Sequence, residues 1–193
     1  MNSFAREKAV VGNIKKHISN QWPTARIRVC KWPRGPVDEL GIDFAVLGLS
    51  PTQESNNLWV YCTAGTGMVK TQDCRQEFLL LSSSSDPRHV ETLTMVSHYH
   101  RFESPLSLGH VVPIGQPWNE GSRCDRLLMS LPYPFGPKLE WLRSEGLEVR
   151  FLWALPITPG EAACARQNGI EALERSFDAV KLCYWDSTRK SVV

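Results

Sequence analysis

Three of the five histidines lie within one short stretch, at His89, His98 and His100, and the last two form an H-x-H pair. Imidazole nitrogens bind metal ions and exchange protons near neutral pH, so this spacing is a candidate for metal or acid–base chemistry. The surrounding sequence predicts a helix over 88–102, in which residues i and i+2 point about 200° apart. Two rings placed in this way cannot bind the same ion. We therefore predict no metal site and no cofactor.

A fourth histidine, His110, lies in the segment Gly109–Pro117, which contains two glycines and two prolines. Glycine provides positive-φ positions and proline fixes φ without a backbone donor, so this segment should be a shaped turn or a buried loop. In a hydrolase-like enzyme, His110 would act as an acid or a base beside a carboxylate. No Ser or Cys in an elbow such as G-x-S-x-G accompanies it. We interpret His110 as a structural residue that hydrogen-bonds the loop backbone, with the enzyme as an alternative.

The segment 63–68, Thr-Ala-Gly-Thr-Gly-Met, follows a predicted strand and superficially resembles a phosphate-binding loop. It lacks the Lys-Ser/Thr that ends a P-loop and the third glycine of a dinucleotide-binding fingerprint. A tight turn between two strands explains both glycines, and this is our interpretation.

Two pairs of carboxylates are spaced closely enough for general acid–base work. Glu171 and Glu174 lie on one face of a predicted helix, where a solvated surface explains them. Asp38 and Glu39 lie in a loop flanked by glycine and proline, which suits contact with a partner as well as it suits catalysis. Because no second catalytic group is fixed near either pair, we predict no catalytic residue and no enzymatic activity.

Charge is distributed unevenly, although the net charge is only +2. Residues 1–34 contain eight Lys or Arg against one acid, whereas residues 35–104 contain nine acids against four bases. The basic N-terminal third also contains Trp22 and Trp32, and cations interleaved with aromatic rings can bind nucleic acid. A regulatory nucleic-acid-binding protein is therefore a second alternative, although Trp22 follows a predicted helix at a natural packing position.

The acidic segment offers a surface that can steer a charged protein partner. Tryptophan is enriched at binding hot spots, so two tryptophans are candidate anchors, although both could equally belong to the core. The predicted partner-binding residues are Trp32, Asp38, Glu39, Asp43, Glu54 and Trp118.

The elements that must position these residues follow from hydrophobic periodicity and from glycine and proline. We predict helices over 3–20, 88–102 and 158–180, the last with a break at Gly169, and strands over 25–30, 42–49, 58–63, 77–81, 126–131 and 147–156. Consecutive strands imply antiparallel neighbours, and the apolar run of 147–156 indicates a central strand. The expected fold is α+β, with a mixed, largely antiparallel sheet flanked by helices. We expect one domain over 1–193 with a frayed tail at 186–193.

The sequence carries no sign of a membrane segment or of an oxidising compartment. No apolar run approaches the roughly 18 residues that a membrane helix needs, and Lys8, Lys15 and Lys16 interrupt any signal-peptide core. The six cysteines form no C-x-x-C pair, which favours free thiols over disulfides or a zinc site. We expect a cytoplasmic protein.

Five segments carry recognisable motifs, in the order 61–68, 76–81, 109–117, 127–132 and 151–173. In this order they resemble the motifs of the suppressor-of-fused (SUFU) domain family. The segment Gly109–Pro117 resembles its G-H-x-x-P-x-G-x-P loop, and the matching positions are Gly109, His110, Pro113, Gly115 and Pro117. The family's glycine-containing turn, two Leu-rich strands and closing strand–helix block resemble 61–68, 76–81, 127–132 and 151–173. Asn168 stands in that last block where the family has His. The match is strongest over 58–180, after the N-terminal helix and first strands of 1–57.

The chain is thus identified as similar to the bacterial single-domain type of this family. The resemblance implies a fold without a known active site, in which the matching loop is structural, and a function in binding other proteins. Larger animal members bind a transcription-factor peptide, partly by adding it as a strand, using a second domain for which this chain has no room. Bacterial single-domain members resemble immunity proteins. The resemblance therefore implies an immunity protein that neutralises a cognate toxin domain by direct binding, and a basic toxin such as a nuclease would suit an acidic face.

Overall fold

The computed structural model of the protein describes residues 3–35, 37–68, 74–144, 146–186 and 188–193. The chain divides into two compact units. The first unit consists of Met1–Leu106 and Leu131–Trp153, and the second consists of Ser107–Ser130 and Ala154–Val193. Each unit is therefore assembled from two separate stretches of sequence.

Among the described residues, the fold has five α-helices and eight strands. The helices are α1 (Ser3–Gln21), α2 (Pro87–His98), α3 (Pro137–Glu140), α4 (Pro159–Asn168) and α5 (Ile170–Ala179). The strands are β1 (Ile27–Cys30), β2 (Ala45–Leu49), β3 (Trp59–Ala64), β4 (Arg75–Ser82), β5 (Val111–Pro113), β6 (Arg126–Ser130), β7 (Trp141–Ser144) and β8 (Leu147–Ile157). In the part of the chain that the structure describes, no helix is both long and apolar enough to span a bilayer.

The sheet of the first unit runs in the order β1-β2-β3-β4-β8, with β1 at its edge. The first four strands pair antiparallel in chain order, whereas β8 runs parallel to β4 with Val149 opposite Arg75. β7 pairs antiparallel with β8. All five residues of β2 are buried, as an apolar strand covered on both faces requires. These strands confirm the predicted α+β fold with a mixed, largely antiparallel sheet, and β8 confirms the predicted central strand.

Helices α1 and α2 form where periodicity and capping favour them. In α1, Val11, Ile14 and Ile18 are buried at helical spacing, and the helix ends two residues before Pro23. In α2, the Asp86 carboxylate caps the first turn by accepting the Arg88 N–H at 2.8 Å. The predicted helix over 88–102 ends as α-helix at His98 and continues as one π-helical turn to Glu103.

The second unit contains β5, β6, the end of β8 and the helices α4 and α5. Val111 of β5 lies opposite Leu128 of β6 in an antiparallel pair. Thr158 and Glu161 form a capping box at the start of α4, which fixes where this helix begins. Gly169, at φ +84°, separates α4 from α5, and this confirms the predicted break.

The last residues of the chain are held in the second unit by a buried ion pair. Arg189 is 7% exposed, and its two terminal nitrogens donate to the two carboxylate oxygens of Glu161 at 2.5 and 2.8 Å. Arg189 also donates to the Pro156 carbonyl, and the Val192 N–H donates to Glu161. The frayed tail predicted for 186–193 therefore does not hold at Arg189. Hydrophobicity, on which that prediction is based, gives no sign of a buried ion pair.

Candidate partner-binding site

The segment 31–44, which joins β1 to β2, carries four of the six predicted partner-binding residues. It borders a groove of about 490 Å³ that includes Trp32, Asp38 and Ile42 in its lining, called here the 31–44 groove. Trp32 is half-buried, and Ile42 is 75% exposed. The sequence predicts Ile42 at the start of a strand, but β2 begins only at Ala45 and leaves this side chain at the surface. An aliphatic side chain so far in water, beside an indole, offers apolar area to a partner.

The charge of this segment is more balanced than the sequence suggests. The Glu39 carboxylate lies 3.1 Å from Nε2 of His98. Lys31 donates to the Ile42 carbonyl at 2.9 Å, and Arg101 donates to the Leu40 carbonyl at 2.7 Å. Lys31 and Arg101 thus lie among the acids of this segment. Asp38 is exposed and lines the groove, while Asp43 is half-buried.

Two of the predicted residues lie apart from this segment. Glu54 is exposed and accepts a hydrogen bond from Thr24, at the end of the β1–β2 pair where Arg26 meets Ser50. Trp118 belongs to the second unit and is only 3% exposed, and its backbone N–H donates to the Cys124 carbonyl. This burial supports the alternative that Trp118 is a core residue and not a surface anchor.

Sequence reasoning missed a second cavity of the first unit, which lies on the face of β1, β2 and β3. It has a volume of about 360 Å³, and we call it the β1 pocket. Arg28, Gly48 and Tyr61 lie opposite one another on the three strands, and Trp32 and Trp59 add aromatic walls. Gly48 has no side chain, so the pocket lies over the middle strand with Cys30 and Tyr61 beside it. The only sequence signal was a glycine inside an apolar strand, which indicates a close approach or an opening.

The matching loop Gly109–Pro117 lies in the second unit and contains the short strand β5. The Gly109 N–H donates to the Met129 carbonyl, and the His110 carbonyl accepts from the Met129 N–H. Among the described residues, the hydrogen bonds of the exposed His110 imidazole go only to Ser107, to its hydroxyl at 3.1 Å and its backbone N–H at 3.4 Å. No carboxylate is hydrogen-bonded to this ring in the described part of the chain, so the pairing that a hydrolase-like enzyme would need is missing there.

Replacing Gly109 with alanine should destabilise the second unit by about 2–3 kcal/mol. Gly109 has φ +88°, and an added Cβ would overlap Cδ1 of Ile170. Gly115 also has positive φ, +73°, but nothing lies near its missing Cβ, so G115A should cost only about 1 kcal/mol. Urea denaturation measures both. The double variant G109A/I170V should lose less stability than G109A and I170V lose together, because the shorter side chain relieves the overlap. Losses that simply add would contradict the overlap.

The loop that superficially resembles a phosphate site binds a carboxylate of the protein itself. Glu77 of β4 is fully buried and accepts the Thr63 hydroxyl at 2.5 Å and the N–H groups of Gly65, Thr66 and Gly67 at 3.0–3.2 Å. Burial raises the pKa of Glu77, although these hydrogen bonds favour its charged form. Because the amides that a phosphate would need are occupied, the interpretation as a structural turn is supported.

The other histidines are separated by the fold. His98 faces Glu39, whereas Nδ1 of the buried His100 accepts the Leu106 N–H at 2.9 Å. His89 lies 3.0 Å from the Ser82 hydroxyl. The described residues contain no cluster of three metal-binding side chains. All six cysteines are free thiols.

The fold defines a class of small α+β proteins built on a mixed sheet, with a glycine- and proline-shaped loop before β6. The family model described as suppressor of fused protein (SUFU) matches residues 38–190. The chain belongs to the SUFU family.

Solved structures agree with this assignment. The chain is similar to a SUFU homologue from Neisseria gonorrhoeae FA 1090, with 34% identity, a TM-score of 0.83, and coverage of 96% of this chain and 97% of that one. A chain of the Sufu–Fu complex has 15% identity and a TM-score of 0.64 over 96% of this chain and 91% of its own. Drosophila Suppressor of Fused has 13% identity and a TM-score of 0.65 over 95% of this chain. This chain spans about half of the Drosophila protein, 51%. Comparison with curated protein sequences gives no match.

Proposed function

We propose that this protein is a non-catalytic binding module, an immunity protein that neutralises a cognate bacterial toxin by covering it directly. Membership of the SUFU family supports a role in protein binding, since one similar chain was solved in a Sufu–Fu complex. The observation that carries the proposal is the 75% exposure of Ile42 beside the half-buried Trp32. Burying such an apolar pair against a partner gives the desolvated centre that tight complexes need.

The 31–44 groove supplies the other features of a protein interface. Asp38 provides a charge at the rim, where it favours encounter with a basic partner and fixes its orientation. The carbonyls of Leu40 and Ile42 accept hydrogen bonds from Arg101 and Lys31, which restrain the backbone at these two residues. A segment ordered before binding loses less conformational entropy in the complex.

The direct test is co-expression with the protein encoded next to this gene, scoring growth and co-elution. Rescue of growth together with a stable complex is the expected result. Toxicity that this chain does not relieve, or a neighbour that neither harms cells nor binds, would count against the immunity role.

Replacing Ile42 with aspartate should weaken the complex with that partner about 30-fold or more, the loss typical of a hot-spot residue. Val180 is a matched control, because it is 55% exposed, aliphatic and located in the second unit. V180D should leave the dissociation constant unchanged in titration calorimetry, and D38K should slow association with a basic partner. Equal affinities for I42D and the unmodified protein would remove the 31–44 groove from the interface.

A further inference from the structure

Strand β1 has one backbone edge that no strand of the described sheet covers. It ends the sheet order, and its only strand partner is β2. The Arg26 carbonyl accepts the Ser50 N–H, so hydrogen-bonded pairs with β2 alternate along β1 and include Arg28 opposite Gly48. The N–H and C=O groups of Ile27 and Val29 therefore point away from β2. Val29 is 57% exposed, which is consistent with an open edge.

The β1 pocket opens beside that edge. Side chains alternate along a strand, so Arg28 and Cys30 project onto the face that carries the pocket. A strand added next to β1 would project every second side chain onto the same face. A long apolar side chain there reaches over the half-buried Cys30 toward the space above Gly48, between Trp59 and Tyr61.

Within the described part of the chain, the charged side chains of the β1 pocket that lack an oppositely charged partner are cations. Arg28 is exposed, and no hydrogen bond or ion pair of its guanidinium occurs among the described residues. Lys31 also lines the pocket, and its one hydrogen bond goes to the Ile42 carbonyl. Asp86, the acid in the lining, is paired with Arg88 at 2.6 Å. An acidic group on a ligand would therefore meet two cations and no unpaired acid among the lining residues.

We propose that β1 and the β1 pocket bind an extended acidic peptide segment of the protein partner by strand addition. The segment pairs with the backbone of Ile27 and Val29, inserts an aromatic or long aliphatic side chain above Gly48, and places a carboxylate against Arg28. Main-chain hydrogen bonds give such a site its affinity, and the pocket and the cation give it selectivity. This inference rests on the proposed function as a protein-binding module and assigns it a second contact beside the 31–44 groove.

The probe is a library of random 12-residue peptides displayed on phage and selected on the intact protein. We expect enriched peptides to carry Asp or Glu next to an aromatic or long aliphatic residue. Fluorescence anisotropy of one enriched peptide should show that R28E and G48V each raise its Kd about tenfold or more. A Cβ at Gly48 meets its neighbours at 3.4–3.8 Å, which are ordinary contact distances, and the Cγ atoms of G48V would extend further into the pocket. Arg28 is exposed, so R28E keeps the test decisive if G48V fails to fold.

Hydrogen exchange distinguishes strand addition from other binding. With bound peptide, the amides of Ile27 and Val29 should become protected, whereas the Arg28 amide, which faces β2, should change little. K16E, an exposed charge reversal on α1, is the matched control and should leave Kd unchanged.

Three results with peptides would overturn the inference: no enriched peptides, enriched peptides whose Kd is unaffected by both R28E and G48V, or unprotected Ile27 and Val29 amides in the complex. A partner protein that still co-elutes with R28E and G48V, but not with I42D, would overturn this site and leave the proposed function standing. If the unmodified protein binds the selected peptides but does not bind the product of the neighbouring gene, the β1 site stands and the proposed immunity function is overturned.

Discussion

Replacing Arg189 with methionine is expected to lower the free energy of unfolding by about 3–5 kcal/mol. The side chains of Arg189 and Glu161 are 5% and 0% exposed, so the mutation leaves a buried carboxylate without its cation. Two remaining N–H donors, from Thr158 and Val192, compensate only part of the lost interaction. Urea denaturation followed by circular dichroism measures the change.

Two further variants separate the charge effect from the loss of packing. K190A removes an exposed neighbouring cation and should change stability by less than about 0.5 kcal/mol. The double variant R189M/E161M removes both charges and should recover much of the loss, because a buried pair is often replaceable by apolar side chains. A single variant R189M as stable as the original protein would show that the tail is not anchored by this pair.

Acidification from pH 6.5 to pH 4 is expected to cost about 3 kcal/mol of stability for each of two buried histidines. Desolvation by burial lowers the pKa of both His89 and His100 to about 4, from an ordinary value of 6.5. Between these pH values the unfolded chain binds more protons than the folded one. Their neutral forms therefore favour the folded state fully above pH 6.5, and this contribution is lost as the pH falls to 4.

The hydrogen bond of His100 also predicts that acidification lowers the stability of the fold. Its Nδ1 accepts the Leu106 N–H, and a protonated ring would have to break that bond. H100Q should therefore reduce the stability lost between pH 7 and pH 4 by about 3 kcal/mol in urea titrations at several pH values. S82A removes the hydroxyl beside His89 without removing a titrating group, and it should retain most of the pH dependence. An unchanged pH dependence in H100Q would contradict a buried neutral imidazole.

Local patterns in the sequence predict many elements of this fold. Helix α1 follows from apolar residues at helical spacing, and the break at Gly169 follows from glycine at a helix end. Strand β8 follows from its unbroken apolar run. Pairings between distant segments do not follow from such patterns: the parallel contact of β4 with β8 and the strand β7 depend on tertiary packing that a local pattern does not encode.

The candidate site is predicted less completely, because exposure depends on neighbours. Trp32 and Asp38 both line the 31–44 groove, and their role in binding a partner stays a prediction. Alternation in β1 suggests an inward Val29, but the strand lies at an edge, and its side chain is 57% exposed. The β1 pocket needs the register that aligns Arg28, Gly48 and Tyr61 across three strands, and no local sequence pattern contains that register.

The parallel pairing of β4 with β8 determines when the sheet of the first unit can be completed during synthesis. Residues 75–79 of β4 have no partner on this side until residues 149–153 leave the ribosome. Until then, β4, which is almost entirely buried in the folded protein, has one unpaired edge. Such edges promote the aggregation of nascent chains. Long-range strand pairing also slows folding, because the intervening chain must be closed into a loop first. Chains truncated before residue 149 should therefore require chaperones to remain soluble, whereas the full chain covers this edge as soon as β8 emerges.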